Sequence, residues 1–197
     1  MGTSLDLRTS IEYAVETLKN QGVIIYPTET VYGIGADGLN QALHRRIGQL
    51  KGRPSDKPYL LLVDSVQDAE SLVGPMPEIA YQLAEQFWPG PLTMILPLVG
   101  KPRTLGLRVS SHPVVRQLLR SFGRPLISTS ANLTGDPPPR EISEVARKLR
   151  DQVDWVIDAG PTPGDRPSTI VDVSGIVPTV RRDGPITRTE LAIFGVR

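Results

Sequence analysis

Four clusters of polar residues interrupt an otherwise apolar chain, and each combines residue types that bind anions. The first, Tyr26–Gly35 (YPTETVYGIG), carries Thr28, Glu29, Thr30 and Tyr32, with Gly33 and Gly35 allowing close backbone approach to a ligand. A turn whose threonines cap the next helix would have the same composition. The second, Lys51–Lys57 (KGRPSDK), puts three cations in seven residues. A helix dipole accounts for one of them better than for three. Lys51 and Arg53 are two apart, so in an extended chain they point the same way and suit one polyanion. The third, Ser128–Gly135 (STSANLTG), ends an apolar run in small hydroxyls and Asn132. Such segments form nests for phosphate oxygens, and they are also ordinary loop composition. The fourth comprises Arg108, Ser168 and the pair Arg181–Arg182, each on an apolar run. Arg108 lies between Leu107 and Val109, so it requires an anion, either a ligand or a structural partner such as Asp172.

The elements that must position these groups alternate. Helical stripes are Ile11/Ala14/Val15/Leu18 closed by Gly22, Leu39/Leu43/Ile47/Leu50, Ile79/Leu83/Ala84/Phe87, Val114/Val115/Leu118/Leu119/Phe122 started by Pro113, and Ile142/Val145/Ala146/Leu149. Short apolar runs predict strands at 22–26, 59–63, 92–96, 106–109, 125–128, 155–157, 169–173 and 179–181. This alternation predicts an α/β domain, and the close spacing of the late strands predicts a mixed parallel/antiparallel sheet covered by helices. The Pro-rich segments 135–140 and 160–167 are expected as loops that cover a site.

Composition removes several classes of chemistry. Cysteine is absent, so there is no thiolate or disulfide chemistry. The two histidines have no acidic residue at metal-like or triad-like spacing; His44 reads as helix-surface and His112 as a helix cap. No G-K-[ST] or G-x-S-x-G motif occurs. No apolar run reaches the ~18 residues of a membrane span, and a cytoplasmic location is expected. Net charge is +1, but 17 of the 22 basic residues are Arg. From Gln86 to Gly135 there is no Asp or Glu against six cations, Lys101, Arg103, Arg108, Arg116, Arg120 and Arg124. That stretch is either an anion site or a solvated basic face. Catalysis by positioning and positive charge is what remains.

Taken in order, YPTETVYGIGAD, KGRPSDKP, WPGPLTMILP, LGLRVSSHP, PLISTSANLTG, RPSTIVDV and VRRDGPI resemble the motifs of the YrdC-like family, also called TsaC, the threonylcarbamoyl-AMP synthases. The resemblance covers about Val23 to Ile186, and it implies one YrdC-like domain over 1–197, with a motif-bearing core of about 8–186, around a large concave cavity. It implies a nucleotidyltransferase that makes L-threonylcarbamoyladenylate and pyrophosphate from L-threonine, bicarbonate and ATP, for modification of tRNA by a separate threonylcarbamoyl transferase. By this resemblance Thr30, Arg108, Ser128 and Ser168 hold threonine. Lys51, Arg53, Lys57, Ser130, Asn132 and Arg182 hold ATP, with Thr104 and Pro138 where relatives also touch it. Lys51 and Arg53 are the catalytic cations, and Mg²⁺ is carried on the ATP phosphates with no protein-ligated metal. Some longer relatives have a threonine-contacting His near Leu62 and a second domain; this chain resembles the short form. Two other functions stay open: an RNA- or nucleotide-binding module without catalysis, and a sister branch with an altered substrate.

If Arg53 meets the charge that develops on the transferring phosphate, Arg53→Ala should lower pyrophosphate release by ~10²-fold or more. Near-normal turnover would remove it from the mechanism.

Overall fold

Helix α1 (Leu7–Lys19) starts where the Asp6 carboxylate accepts the Thr9 N–H at 3.0 Å, and its stripe Ile11, Ala14, Val15 and Leu18 is buried as the spacing predicts. The computed structural model describes residues 6–52 and 59–197, so Arg53 and Lys57 lie outside the described residues. The end of α1 differs from the expected glycine cap. Gln21 takes the positive φ of 61°, while the N–H of Gly22 donates to the Thr17 carbonyl at 2.8 Å. A Cβ on Gly22 would lie 2.4 Å from Thr17 Cγ2, so Gly22 is required for closeness, not for its φ.

The remaining helices are α2 (Gln41–Lys51), α3 (Val66–Val73), α4 (Glu78–Phe87), α5 (Pro113–Phe122), α6 (Arg147–Arg150) and α7 (Arg188–Ala192). Asn40 caps α2, which leaves Leu39 outside its stripe and 58% exposed. In α5, His112 accepts the Val114 N–H at 3.3 Å, Pro113 opens the first turn, and all five stripe residues are buried. The stripe from Ile142 is not one helix. A 3₁₀ turn (Ile142–Glu144) and α6 are separated by extended Val145 and Ala146, yet Val145 and Leu149 are both buried. The periodicity reported burial, which two short turns achieve as well as one helix. Helices α3 and α7 were not anticipated; the side chains of Ser65 and Thr187 cap them, the latter in a capping box with Glu190.

Among the described residues the strands are β1 (Ile24–Tyr26), β2 (Gly33–Gly35), β3 (Leu60–Val63), β4 (Leu92–Pro97), β5 (Thr104–Val109), β6 (Leu126–Ser130), β7 (Trp155–Val156), β8 (Thr169–Asp172) and β9 (Thr179–Arg182). They form one sheet in the order β7-β1-β2-β6-β3-β5-β4-β8-β9. The pairs β1/β7, β3/β5 and β4/β8 are parallel and the others antiparallel, so the sheet is mixed as expected.

Successive residues of a strand face opposite sides, and the two sides are covered differently. On one side Leu61, Val63, Met94, Leu96, Leu107, Val109, Ile127 and Val171 pack against apolar residues of α2, α3 and α4. On the other, Ile24, Tyr26, Leu62 and Leu126 are covered by α1 and α5. That second side continues through β5, β4, β8 and β9, where polar and small residues replace the apolar ones. Strand register ties them into one row: Gly33 opposite Ser130, Leu60 opposite Ser128, Leu62 opposite Arg108, Ile95 opposite Gly106, Thr93 opposite Ile170, and Ile170 opposite Arg182.

Strand β2 lies within a segment expected to be loop. Gly35 makes it possible, since a Cβ there would sit 2.3 Å from the Ile127 carbonyl oxygen and 2.9 Å from the Tyr26 ring. Gly35 therefore serves strand packing, not ligand approach. Gly35→Ala should lower stability by about 1–3 kcal/mol in chemical denaturation, the usual cost of overpacking. A loss under about 0.5 kcal/mol, typical of a surface change, would mean that β2 shifts freely.

Candidate active site

The row of polar residues floors a cavity of about 230 Å³. This is just below the ~300–1,000 Å³ of pockets that bury a small-molecule ligand. Its rim on the β1–β2 side is the Thr28–Val31 turn. The Thr28 hydroxyl accepts the N–H groups of Thr30 (3.1 Å) and Val31 (3.2 Å), donates to the Val31 carbonyl (2.7 Å) and lies 2.9 Å from Thr30 Oγ1. These bonds fix Thr30 against the cavity. The two threonines do not cap α2, a task that falls to Asn40.

Arg108 rises from β5 with its side chain 5% exposed. Its partner is Glu29, not Asp172. Glu29 Oε1 lies 3.1 Å from Nε and 2.7 Å from Nη2, and Nη1 reaches Thr30 Oγ1 at 3.4 Å. Asp172 sits on β8, two strand spacings from β5 or ~10 Å, and binds Arg181 at 2.8 Å instead. The Nη2–Oε1 approach is a close ion pair without a directed hydrogen bond, so Nη2 keeps donor capacity. Ser110 Oγ donates to the other Glu29 oxygen. Burial alone would raise the Glu29 pKa; the Arg108 charge and the hydrogen bonds from Ser110 and Arg108 outweigh it and hold the carboxyl below its ordinary value.

Across the cavity, Arg182 donates from Nε (3.0 Å) and Nη2 (2.8 Å) to the Ser168 carbonyl, and from Nη2 to Ser168 Oγ (3.1 Å). Ser168 Oγ is 2.8 Å from Thr93 Oγ1. Gly184 permits this, because a Cβ there would come within 2.3 Å of Thr169 N. Arg182 has no carboxylate partner among the described residues, and desolvation with repulsion from Arg108 lowers its pKa. Ser128, Ser130 and Thr104 also line the cavity.

Lys51 is placed differently. It is 5% exposed, at the end of α2, and its ammonium donates to the carbonyls of Ser130 and Asn132, the latter at 2.7 Å. It approaches the cavity from behind the Ser130–Asn132 segment and does not line it. The Asn132 amide donates to the carbonyls of Leu133 (3.0 Å) and Asp136 (2.7 Å), bracing the loop. Pro138 is also outside the lining, beside Pro139, whose carbonyl accepts the Tyr32 N–H at 2.8 Å. Tyr32 ties down the second loop too, through its hydroxyl to the Gly160 carbonyl at 2.7 Å.

The structure thus gathers Thr30, Arg108, Ser128, Ser168, Ser130, Thr104 and Arg182 around one hollow and leaves Lys51, Asn132 and Pro138 outside its lining. Sequence reasoning missed Thr93 and the role of Glu29. Thr93 had a signal: one hydroxyl at an alternating position within the apolar run LTMIL. His44 is half-buried rather than on the helix surface, with Nε2 2.9 Å from the Gly38 carbonyl and its ring edge-on to Tyr59. Among the described residues, no three His, Asp or Glu gather as metal ligands.

The acid-free stretch is largely neutralised in space. Arg108 meets Glu29, Arg116 and Arg120 meet Asp64 (3.8 and 3.0 Å), and Arg124 meets Asp37 (2.9 Å). Only Lys101 and Arg103 of those six cations lack an ion pair among the described residues.

Comparison with known proteins adds to this geometry. A family model named for Sua5, YciO and YrdC, and described as telomere recombination, matches residues 16–184. A threonylcarbamoyl-AMP synthase of Bacillus subtilis (strain 168) is 37% identical over 195 residues, covering 94% of this chain and 56% of the relative. A putative threonylcarbamoyl-AMP synthase of Mycobacterium tuberculosis (strain ATCC 25618 / H37Rv) is 38% identical over 192 residues, covering 93% and 88%. The crystal structure of P. abyssi Sua5 complexed with L-threonine superposes with a TM-score of 0.89 at 30% identity, covering 99% of this chain and 61% of that one. The chain therefore spans little more than half the length of the Bacillus relative.

The depressed Glu29 pKa has a pH signature. A carboxyl whose folded pKa lies below its unfolded value near 4.5 adds stability above that value and loses it as pH falls through the folded one. The stability gap between the parent and Glu29→Gln, read by chemical denaturation, should be large at neutral pH and shrink as the pH falls below 4.5. A gap independent of pH would contradict the ion pair.

Proposed function

The chain belongs to the Sua5/YciO/YrdC family, and from that premise we propose that it makes L-threonylcarbamoyladenylate and pyrophosphate from L-threonine, bicarbonate and ATP, for threonylcarbamoyl-adenosine modification of tRNA. The observation that carries the proposal is the row on the open face of the sheet, which presents two arginines and several hydroxyls to one cavity. The L-threonine complex of the Pyrococcus relative supports an amino acid as one occupant.

Threonine fits the Arg108 end. Its carboxylate meets the guanidinium, and the hydroxyls of Thr30, Ser128 and Ser168 hold the rest. The triphosphate runs toward Ser130 and Arg182, with Arg53 and Lys57 assigned there on sequence grounds. The threonine amine, as the free base, adds to CO₂ formed from bicarbonate by loss of hydroxide; the proton it gives up and that hydroxide leave as water, and N-carboxy-threonine remains. Its carboxylate attacks the α-phosphorus in line, and the bond to the pyrophosphate oxygen breaks. No general base is needed for a nucleophile that is already anionic. Holding both reactants in one hollow supplies several kcal/mol of the barrier reduction. Arg182, free of any carboxylate among the described residues, is available to offset charge on the phosphoryl oxygens.

In this geometry Lys51 serves the nucleotide through the Ser130–Asn132 backbone that it fixes. Mg²⁺ carried on the ATP phosphate oxygens would screen their charge. The unstable product implies a downstream tRNA threonylcarbamoyl transferase as partner. No helix among the described residues is long and apolar enough to cross a membrane, and we place the reaction in the cytoplasm.

The experiment is pyrophosphate release from ATP with threonine and bicarbonate omitted in turn. Dependence on both is expected, and Arg108→Ala should raise the threonine requirement far more than the ATP requirement. Release that ignores threonine would overturn the function; equal effects of Arg108→Ala on both substrates would overturn the carboxylate role.

A further inference from the structure

A guanidinium offers two useful edges, one through Nε and one between its two Nη groups. In Arg108 the first edge is taken, with Glu29 Oε1 3.1 Å from Nε and 2.7 Å from Nη2. The second is nearly free: Nη2 is buried without a directed hydrogen bond, and Nη1 has only the 3.4 Å contact with Thr30 Oγ1. A buried donor left in that state is poised for an acceptor. Glu29 itself does not line the cavity. It is anchored from the far side by Ser110, whose hydroxyl donates to its Oε2 and accepts the His112 N–H at 3.2 Å, at the start of α5.

We propose that Glu29 is a positioning residue: it holds the Nε edge of Arg108 and leaves the Nη1–Nη2 edge as a preformed fork for the carboxylate of the amino-acid substrate. The inference rests on the function proposed above and adds to it a residue that acts only through Arg108. Without Glu29 the guanidinium would turn about its long stem, and an incoming carboxylate would have to order it. The carboxylate also keeps the arginine partnered when no ligand is bound, so a buried cation is never left alone.

Glu29→Gln tests this, because it keeps the shape and removes the charge. Two readouts are taken together. In steady-state pyrophosphate release, the threonine KM should rise ~10-fold or more, the scale of a lost charge-assisted hydrogen bond, with ATP KM and kcat within about threefold. In ¹⁵N-edited NMR without substrate, the Arg108 Nε–H signal should be slowly exchanging in the parent and fast in Glu29→Gln. A fall in kcat with both KM values unchanged, as expected of a merely structural role, overturns the proposal. So does an Arg108 Nε–H signal that the substitution leaves protected. If the parent shows no threonine dependence, the function itself fails, and the NMR comparison alone decides whether Glu29 positions Arg108. Should Glu29→Gln not fold, Ser110→Ala, which loosens Glu29 from outside the cavity, should move the same two readouts in the same direction.

Discussion

An arginine in the middle of a sheet must have a negative charge beside it, and the site is organised around how that need is met. Arg108 is nearly enclosed, and Glu29 reaches it from the loop between β1 and β2. The pair is close, yet it uses only one edge of the guanidinium. A pair closed on both edges would be a structural ion pair and nothing more. One closed on a single edge is both tolerable in the empty protein and receptive to a second carboxylate. Thr30 shares the same loop as Glu29, so the segment that supplies the counter-ion also supplies a hydroxyl at the cavity wall.

Register does the rest of the positioning. The second side of the sheet is apolar where α1 and α5 lie on it and becomes hydroxyl- and arginine-bearing where they do not. Because facing residues of paired strands share a side, the alignment of Leu62 with Arg108 and of Ile170 with Arg182 carries the cavity floor from β3 to β9 without any loop having to place it. Only Gly106 and Gly33 lack side chains in that row, and both line the hollow. Loops contribute at the rim through the Thr28–Val31 turn and Pro167, while Tyr32 holds the segments at Pro139 and Gly160 through its backbone and its hydroxyl.

Much of this was legible in the amino-acid order, and the failures share a cause. The helical stripes of α1, α4 and α5 and most strands follow from local periodicity. Arg108 stood out as a cation among apolar residues, but its partner did not, because Glu29 is 79 positions away and reaches it only once β2 is paired into the sheet. Lys51 read as a phosphate ligand from its neighbours, and its bonds to carbonyls 79 and 81 positions away were not legible there. The acid-free stretch looked basic because the carboxylates that neutralise it, Glu29, Asp37 and Asp64, precede it in the chain. Strand β2 escaped because Gly-Ile-Gly has little strand propensity of its own and is set by its neighbours.

The central claim is that one hollow receives an amino acid at its Arg108 end and a nucleotide at its Arg182 end. Chemical-shift mapping of the chain with L-threonine, and separately with a non-hydrolysable ATP analogue, tests it most directly. The account predicts threonine shifts centred on Thr30, Arg108 and Ser128, and nucleotide shifts centred on Ser130 and Arg182, with Ser168 in contact with Arg182 between them. Shifts confined to the outer face of α5, or the two ligands perturbing unconnected surfaces, would contradict it.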